Sequence, residues 1–174
     1  MLNDSWMQFS WNLSQLQDTP EPLPGGLVVR TSNRAEETEV QSVVHRAFSF
    51  DMQWSGSYRF IEDDLKRHIH QAFRNHPHTA VVIVHGSRLI AVSCLNIDED
   101  ADNHLFTGPC VLPEYRSRGL GTALLLHSLQ TLKTSGLHIA RAVSKTGITA
   151  TKFIYPKFAS AKDSYDAAPF EFLE

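Results

Sequence analysis

A chain of 174 residues with 42% apolar side chains and a formal net charge of −3 fits one folded domain with a real core and excludes a disordered chain. Its lysines and arginines are dispersed, which argues against nucleic acid as the main partner, because phosphate binding concentrates positive charge on one face. The two cysteines, Cys94 and Cys110, read as buried free thiols; no run approaches the ~18 apolar residues of a membrane span, so a soluble, cytoplasmic protein is expected.

Along the chain, Trp6, Phe9 and Leu13 fall at helical spacing and predict a short amphipathic helix. The Pro/Gly-rich stretch 19–26 follows as a linker, so residues 1–26 read as an N-terminal extension: a flap, a dimer contact or a lid. The main domain then covers 27–174. It opens with a strand at 27–31. Asn33 and Glu36 match a capping box, and Val40, Val43, Val44, Ala47 and Phe48 trace one buried helix face. A second helix is expected over 61–75. The aromatic-rich stretch between, 48–60, reads as a loop that walls a substrate site or adds a second apolar layer. Runs 80–85 and 88–97, joined at Gly86-Ser87, predict a hairpin. A strand over 104–112 is interrupted by Gly108-Pro109, which implies a bulge or an edge position. Leu120, Leu124, Leu125, Leu129 and Leu132 then define a helix stopped at Gly136. A strand at 137–143, a short helix at 149–155 and a weak strand at 167–173 complete the order. A strand meander followed by a strand–helix–strand crossover implies an α/β fold, a mixed sheet covered by helices.

The chemistry-bearing segment runs from Val111-Leu112-Pro113 through Arg116-Ser117-Arg118-Gly119-Leu120-Gly121-Thr122. A strand ends in a tight loop that opens an apolar helix. The first N–H groups of that helix lack internal partners, and its dipole adds positive character there. Gly119 and Gly121 keep side chains away from those amides, and Arg116 and Arg118 add charge. This combination suits a phosphate or pyrophosphate. Neither the Lys-Ser/Thr ending of a P-loop nor the Gly-x-Gly-x-x-Gly dinucleotide pattern is present.

Arg116-x-x-Gly119-x-Gly121 after Val111-x-Pro113 resembles the acetyl-CoA motif of the GNAT N-acetyltransferase superfamily, and the expected element order is similar from residue 27 onward. The resemblance implies a mixed, mostly antiparallel central sheet with a splayed parallel strand pair, flanked by helices. It implies acetyl-CoA or another acyl-CoA as co-substrate and no metal. Pro109, Cys110 and Val111 would line the pantetheine arm, with the amide of Val111 or its neighbour polarising the thioester carbonyl. Ser117 through Thr122 would grip the pyrophosphate, and Tyr155 would protonate the departing sulfur. The acceptor would be a small-molecule amine or a peptide N-terminus, attacking directly; a second copy of the chain is a candidate partner. A non-catalytic acyl-CoA-binding module on the same fold is the alternative.

The chain departs from the family where an asparagine often precedes the tyrosine; here Gly147-Ile148-Thr149 stands. Pro156 follows Tyr155, and Phe158-Ala159 replaces the usual Gly-Phe. No general base stands out: His104, Asp98 and Glu99 are candidates, as are a water chain or a carbonyl. Cys110 as a nucleophile would need a histidine that the sequence does not tie to it. His68-x-His70 would splay around a helix and His76-x-His78 straddles a proline, so both pairs read as surface histidines.

Overall fold

Val81-Val82-Ile83-Val84 and Leu89-Ile90-Ala91-Val92 are continuous apolar runs, the pattern of strands covered on both faces. The computed structural model describes residues 5–54 and 56–166, and in it these runs form β3 (Val81–His85) and β4 (Arg88–Ser93), paired as the expected hairpin. With β2 (Leu27–Thr31) and β5 (Cys110–Val111) they make an antiparallel sheet in the order β2-β3-β4-β5. Helix α1 (Glu37–Ser49) packs on β4 and β5 and α3 (Leu120–Thr134) on β3 and β4, while α2 (Tyr58–Asn75) packs on α1. This accounts for the near-complete burial of β3 and β4.

The capping box forms: Asn33 accepts from Ala35 N–H, and Glu36 Oε1 accepts from Asn33 N–H. Gly136, at φ 99°, ends α3 in a Schellman arrangement, with Leu137 N–H donating to Leu132 O and Gly136 N–H to Lys133 O.

Three expectations are corrected. Residues 6–12 are not an amphipathic helix but a strand, β1 (Trp6–Asn12), the centre of a second antiparallel sheet in the order β6-β1-β7, with β6 at Ile139–Lys145 and β7 at Ala161–Tyr165. Phe9, Trp11 and Leu13 alternate inward, a period of two that the Trp6–Phe9–Leu13 spacing disguised. Asn12 accepts from Ser14 N–H and turns the chain out of the strand. This segment is thus built into the core rather than laid over it.

The strand anticipated over 104–112 shrinks to Cys110–Val111, at a sheet edge. Gly108 at φ 63° and Pro109 break the ladder, and His104 instead links two segments, its N–H donating to Arg141 O and its C=O accepting from Asn96 N–H. In the stretch 48–60, Phe48 closes α1 and Tyr58 opens α2, which starts earlier than expected. The anticipated strand at 167–173 lies outside the described residues.

Strands β5 and β6 flank α3 in the chain yet belong to different sheets, with no ladder between them among the described residues. The gap this leaves is the main cavity.

Candidate active site

A cavity of about 460 Å³ opens between the two sheets at the start of α3. One wall is the cradle loop. After the turn Pro113–Tyr115, Ser117 and Gly119 take left-handed conformations, φ 62° and 75°, and α3 begins at Leu120. Consequently the N–H groups from Ser117 to Thr122 donate to no protein group among the described residues; the first helical bond runs from Ala123 N–H to Gly119 O. Such a row of free donors at the positive end of a helix dipole suits an anion. A Cβ at Gly121 would lie 2.6 Å from Ile154 Cδ1 across the cavity, so any side chain there pushes the end of Ile154 aside.

Of the residues anticipated for the cofactor, Pro109, Cys110, Val111, Arg116, Ser117, Gly119, Leu120, Gly121 and Thr122 line this cavity, as does Tyr155. Arg118 does not: its guanidinium donates to Glu114 O at 3.2 Å and lies 5.0 Å from the Tyr115 ring centre. Arg116 lines the cavity, but its guanidinium is turned to the main chain, donating to Ala47 O at 2.8 Å and Val111 O at 3.3 Å. Its bonds brace loop, α1 and β5 together. The cation that reaches the start of α3 is Lys157, whose Nζ donates to Thr122 Oγ1 at 3.0 Å. The sequence reading missed it because it lies far along the chain.

At the free edge of the first sheet, Leu112 N–H donates to Ile90 O, and Val111 sits opposite Ala91. Antiparallel ladders alternate, so Val111 turns its N–H and C=O away from β4, toward the gap. Its carbonyl is taken by Arg116, leaving the amide facing the cavity.

Tyr155 follows a π-helical turn, Ala150–Ile154, closed by Tyr155 N–H donating to Ala150 O. The side chain is 1% exposed and packed between Phe9 and Trp11, with ring centroids 5.4 and 5.8 Å away. Its hydroxyl points at Gly108, where an added Cβ would come within 2.7 Å of Tyr155 Oη. No protein group pairs with that hydroxyl among the described residues. Burial first, and then the nearby Cys110, push the phenol's pKa above its usual value, so it keeps its proton. Two residues that hold Tyr155, Phe9 and Trp11, come from the N-terminal strand and were not linked to it by sequence.

Cys110 is 3% exposed, and burial pushes its thiol up to about 12, so it stays protonated and is a poor nucleophile. His104, Asp98 and Glu99 do not line the cavity. His104 is fully buried; its Nε2 donates to Asp98 O and its Nδ1 accepts from Arg141 N–H, and burial holds its pKa low. It is a brace between loop and β6. Of the large apolar residues in 48–60, Phe48 and Trp54 line the cavity and Tyr58 is buried, while Phe50, Met52 and Phe60 are exposed. Among the described residues no three His, Cys, Asp or Glu side chains cluster as a metal site, and no helix is long and apolar enough to cross a membrane.

Comparison with known proteins places this geometry. The solved structure of a GCN5-related N-acetyltransferase from Sphaerobacter thermophilus is similar over 92% of this chain and 49% of its own, with a TM-score of 0.65 and 16% identity. A Drosophila protein is similar over 92% of this chain and 48% of its own, with a TM-score of 0.64 and 16% identity. A GCN5-related glucosamine N-acetyltransferase region of a fungal multi-domain GH3 β-N-acetylglucosaminidase has a TM-score of 0.57 at 12% identity, covering 93% of this chain and 20% of that one. This chain therefore spans about half the length of the first two relatives. No curated protein matches. The Acetyltransferase (GNAT) family matches residues 44–154, from within α1 to the π-helical turn before Tyr155, and the chain belongs to that family.

Proposed function

We propose that this domain transfers an acetyl group from acetyl-CoA to a primary amine by direct attack, without a covalent enzyme intermediate. One observation carries the reading: Ser117, Gly119, Leu120, Gly121 and Thr122 with their free amides, Val111 with its outward amide and Tyr155 with its unpaired hydroxyl all line one cavity.

The amides of Ser117–Thr122, with Lys157 as counter-charge, hold the diphosphate. The edge of β5 aligns the pantetheine arm as an added strand would. Val111 N–H donates to the thioester oxygen, where negative charge grows in the transition state. The neutral amine attacks the carbonyl carbon; the C–N bond forms, the C–S bond breaks, and its electron pair goes to sulfur. Tyr155 gives its proton to that sulfur, the proton lost by the attacking nitrogen passes to solvent, and the phenolate takes a proton back from solvent before the next turnover. A free alkyl amine has a pKa near ~10.4, so loss of its first proton precedes attack.

The test is a melting curve with and without acetyl-CoA, followed by coenzyme A release with a set of amines. At ~100 times its dissociation constant the ligand adds about 2.7 kcal/mol, a rise of roughly 5–10 °C for a chain of this size. Binding with no release on any amine leaves the non-catalytic module as the description; no binding removes both.

A further inference from the structure

The cavity is electrically divided. Arg116 and Lys157 line it at the cradle, whereas the α1–α2 connection contributes Asp51, the single carboxylate in its lining among the described residues. Asp51 is held by its turn: its N–H donates to Phe48 O at 3.2 Å, its C=O accepts from Trp54 N–H at 3.0 Å, and its Oδ1 accepts from Gln53 N–H at 2.9 Å. None of the ion pairs among the described residues includes it. Gln53 Oε1 accepts from Thr149 N–H and Oγ1–H, tying this turn to the opposite wall. The carboxylate lies close enough to Cys110, the residue preceding the oxyanion amide, that its charge reinforces the burial that raises that thiol.

Phe48 and Trp54 line the cavity beside Asp51, 5.0 Å apart and edge-on, both buried. Gln53 Oε1 is taken by Thr149, and Thr107 Oγ1 donates to Gly108 O and accepts from Cys94 N–H. A carboxylate in a half-buried cleft attracts a cation more strongly than one in open solvent. With Phe48 and Trp54 already buried, a flat apolar body gains chiefly by covering Phe153, a lining residue that is 66% exposed. A hydroxylated body would leave water for walls that offer it few partners, and an acceptor carboxylate would face Asp51.

Resting on the acetyl-transfer reading, we infer that this end of the cavity selects acceptors carrying a primary ammonium on an apolar, aromatic body, and that Asp51 holds the ammonium. Asp51 acts as a positioning residue. It draws the acceptor in beside the thioester, and its removal weakens binding of the amine rather than the chemical step.

The test compares phenethylamine, phenylalanine and glucosamine as acceptors at saturating acetyl-CoA, in the wild type and in Asp51→Asn. The variant keeps an oxygen for Gln53 N–H and so the turn. Phenethylamine is expected to exceed the other two by about 10-fold or more in kcat/KM, the scale on which a missing or misplaced charge is felt. In the variant its KM rises by about 10-fold with kcat within roughly 3-fold, the signature of lost uniform binding. Asp51→Glu restores part of the loss. The melting shift with acetyl-CoA stays as in the wild type. An unchanged KM in Asp51→Asn, or phenylalanine or glucosamine used as well as phenethylamine, overturns the inference and leaves the transfer reading standing. An absent acetyl-CoA shift in the wild type overturns both.

Discussion

Trp11 stands edge-on to Tyr155 at a centroid distance of 5.8 Å, and its Nε1–H donates to Lys157 O at 2.9 Å. A residue near the start of the chain therefore fixes both the proposed acid and the segment carrying the proposed counter-charge. Trp11→Phe deletes the bond and leaves a void in a site that is 1% exposed. We expect a loss of about 1–3 kcal/mol in denaturant unfolding and a fall in kcat larger than any change in KM for acetyl-CoA.

Tyr155→Phe removes the proton donor while keeping the ring between Phe9 and Trp11. Turnover should fall by about 10²-fold, the lower end of general acid catalysis, with the acetyl-CoA melting shift retained. Because burial raises the phenol's pKa above its ordinary value of 10.0, the acid form persists through neutral and mildly alkaline pH. The wild-type kcat/KM should climb with pH as the acceptor amine loses its proton and show no descending limb below 10.0. A rate indifferent to the substitution would remove Tyr155 from the chemistry.

Arg116 and Lys157 should separate cleanly. Arg116 donates to Ala47 O and Val111 O, so Arg116→Ala leaves those carbonyls unpaired and should cost about 1.5–3 kcal/mol in stability. Lys157 is exposed, and among the described residues its Nζ bonds only Thr122 Oγ1. Lys157→Ala should leave the melting temperature of the free protein nearly unchanged and weaken coenzyme A binding by roughly 10-fold, an effect that shrinks as salt rises. Titration calorimetry at low and high salt reads this directly.

Gly119 and Gly121 are glycine for different reasons. At φ 75°, Gly119→Ala introduces strain of about 1–2 kcal/mol without filling space, so it should lower the melting temperature. Gly121→Val instead drives a side chain against Ile154 and into the gap facing Pro109. Its main effect should be on acetyl-CoA affinity, lost by more than about 10-fold, which Gly119→Ala should not match. Equal affinities for the two variants would count against the cradle.

His104 should give the fold an acid-sensitive limb. Burial holds its folded pKa below the ordinary 6.5, against the opposing hydrogen bond to Asp98 O. The unfolded chain therefore takes up a proton near that pH that the folded protein refuses, and stability present above 6.5 is lost as pH falls through this range. His104→Asn should be less stable at neutral pH yet show a flatter decline between roughly pH 7 and 5.

Much of this was readable in the chain because it is local. The Leu120–Leu132 stripe, the Gly136 stop, the Asn33–Glu36 cap and the β3–β4 hairpin each depend on neighbours within a few residues, where helix and strand periods and turn chemistry act directly. The same holds for the cradle, since free amides follow from a glycine-rich loop entering a helix. What the sequence could not decide is where pairings between distant segments fall. The Trp6–Phe9–Leu13 spacing suits a helix as well as Phe9-Trp11-Leu13 suits a strand, and only the open edge of β6 settles the choice. β7 is polar and exposed and owes its form to backbone pairing with β1. Arg116 turns to main-chain carbonyls while Lys157, of which nothing was expected, reaches Thr122, because charge does not say which carbonyl or hydroxyl it will meet. Local pattern selects elements; long-range hydrogen bonding and packing decide which side chains face one cavity.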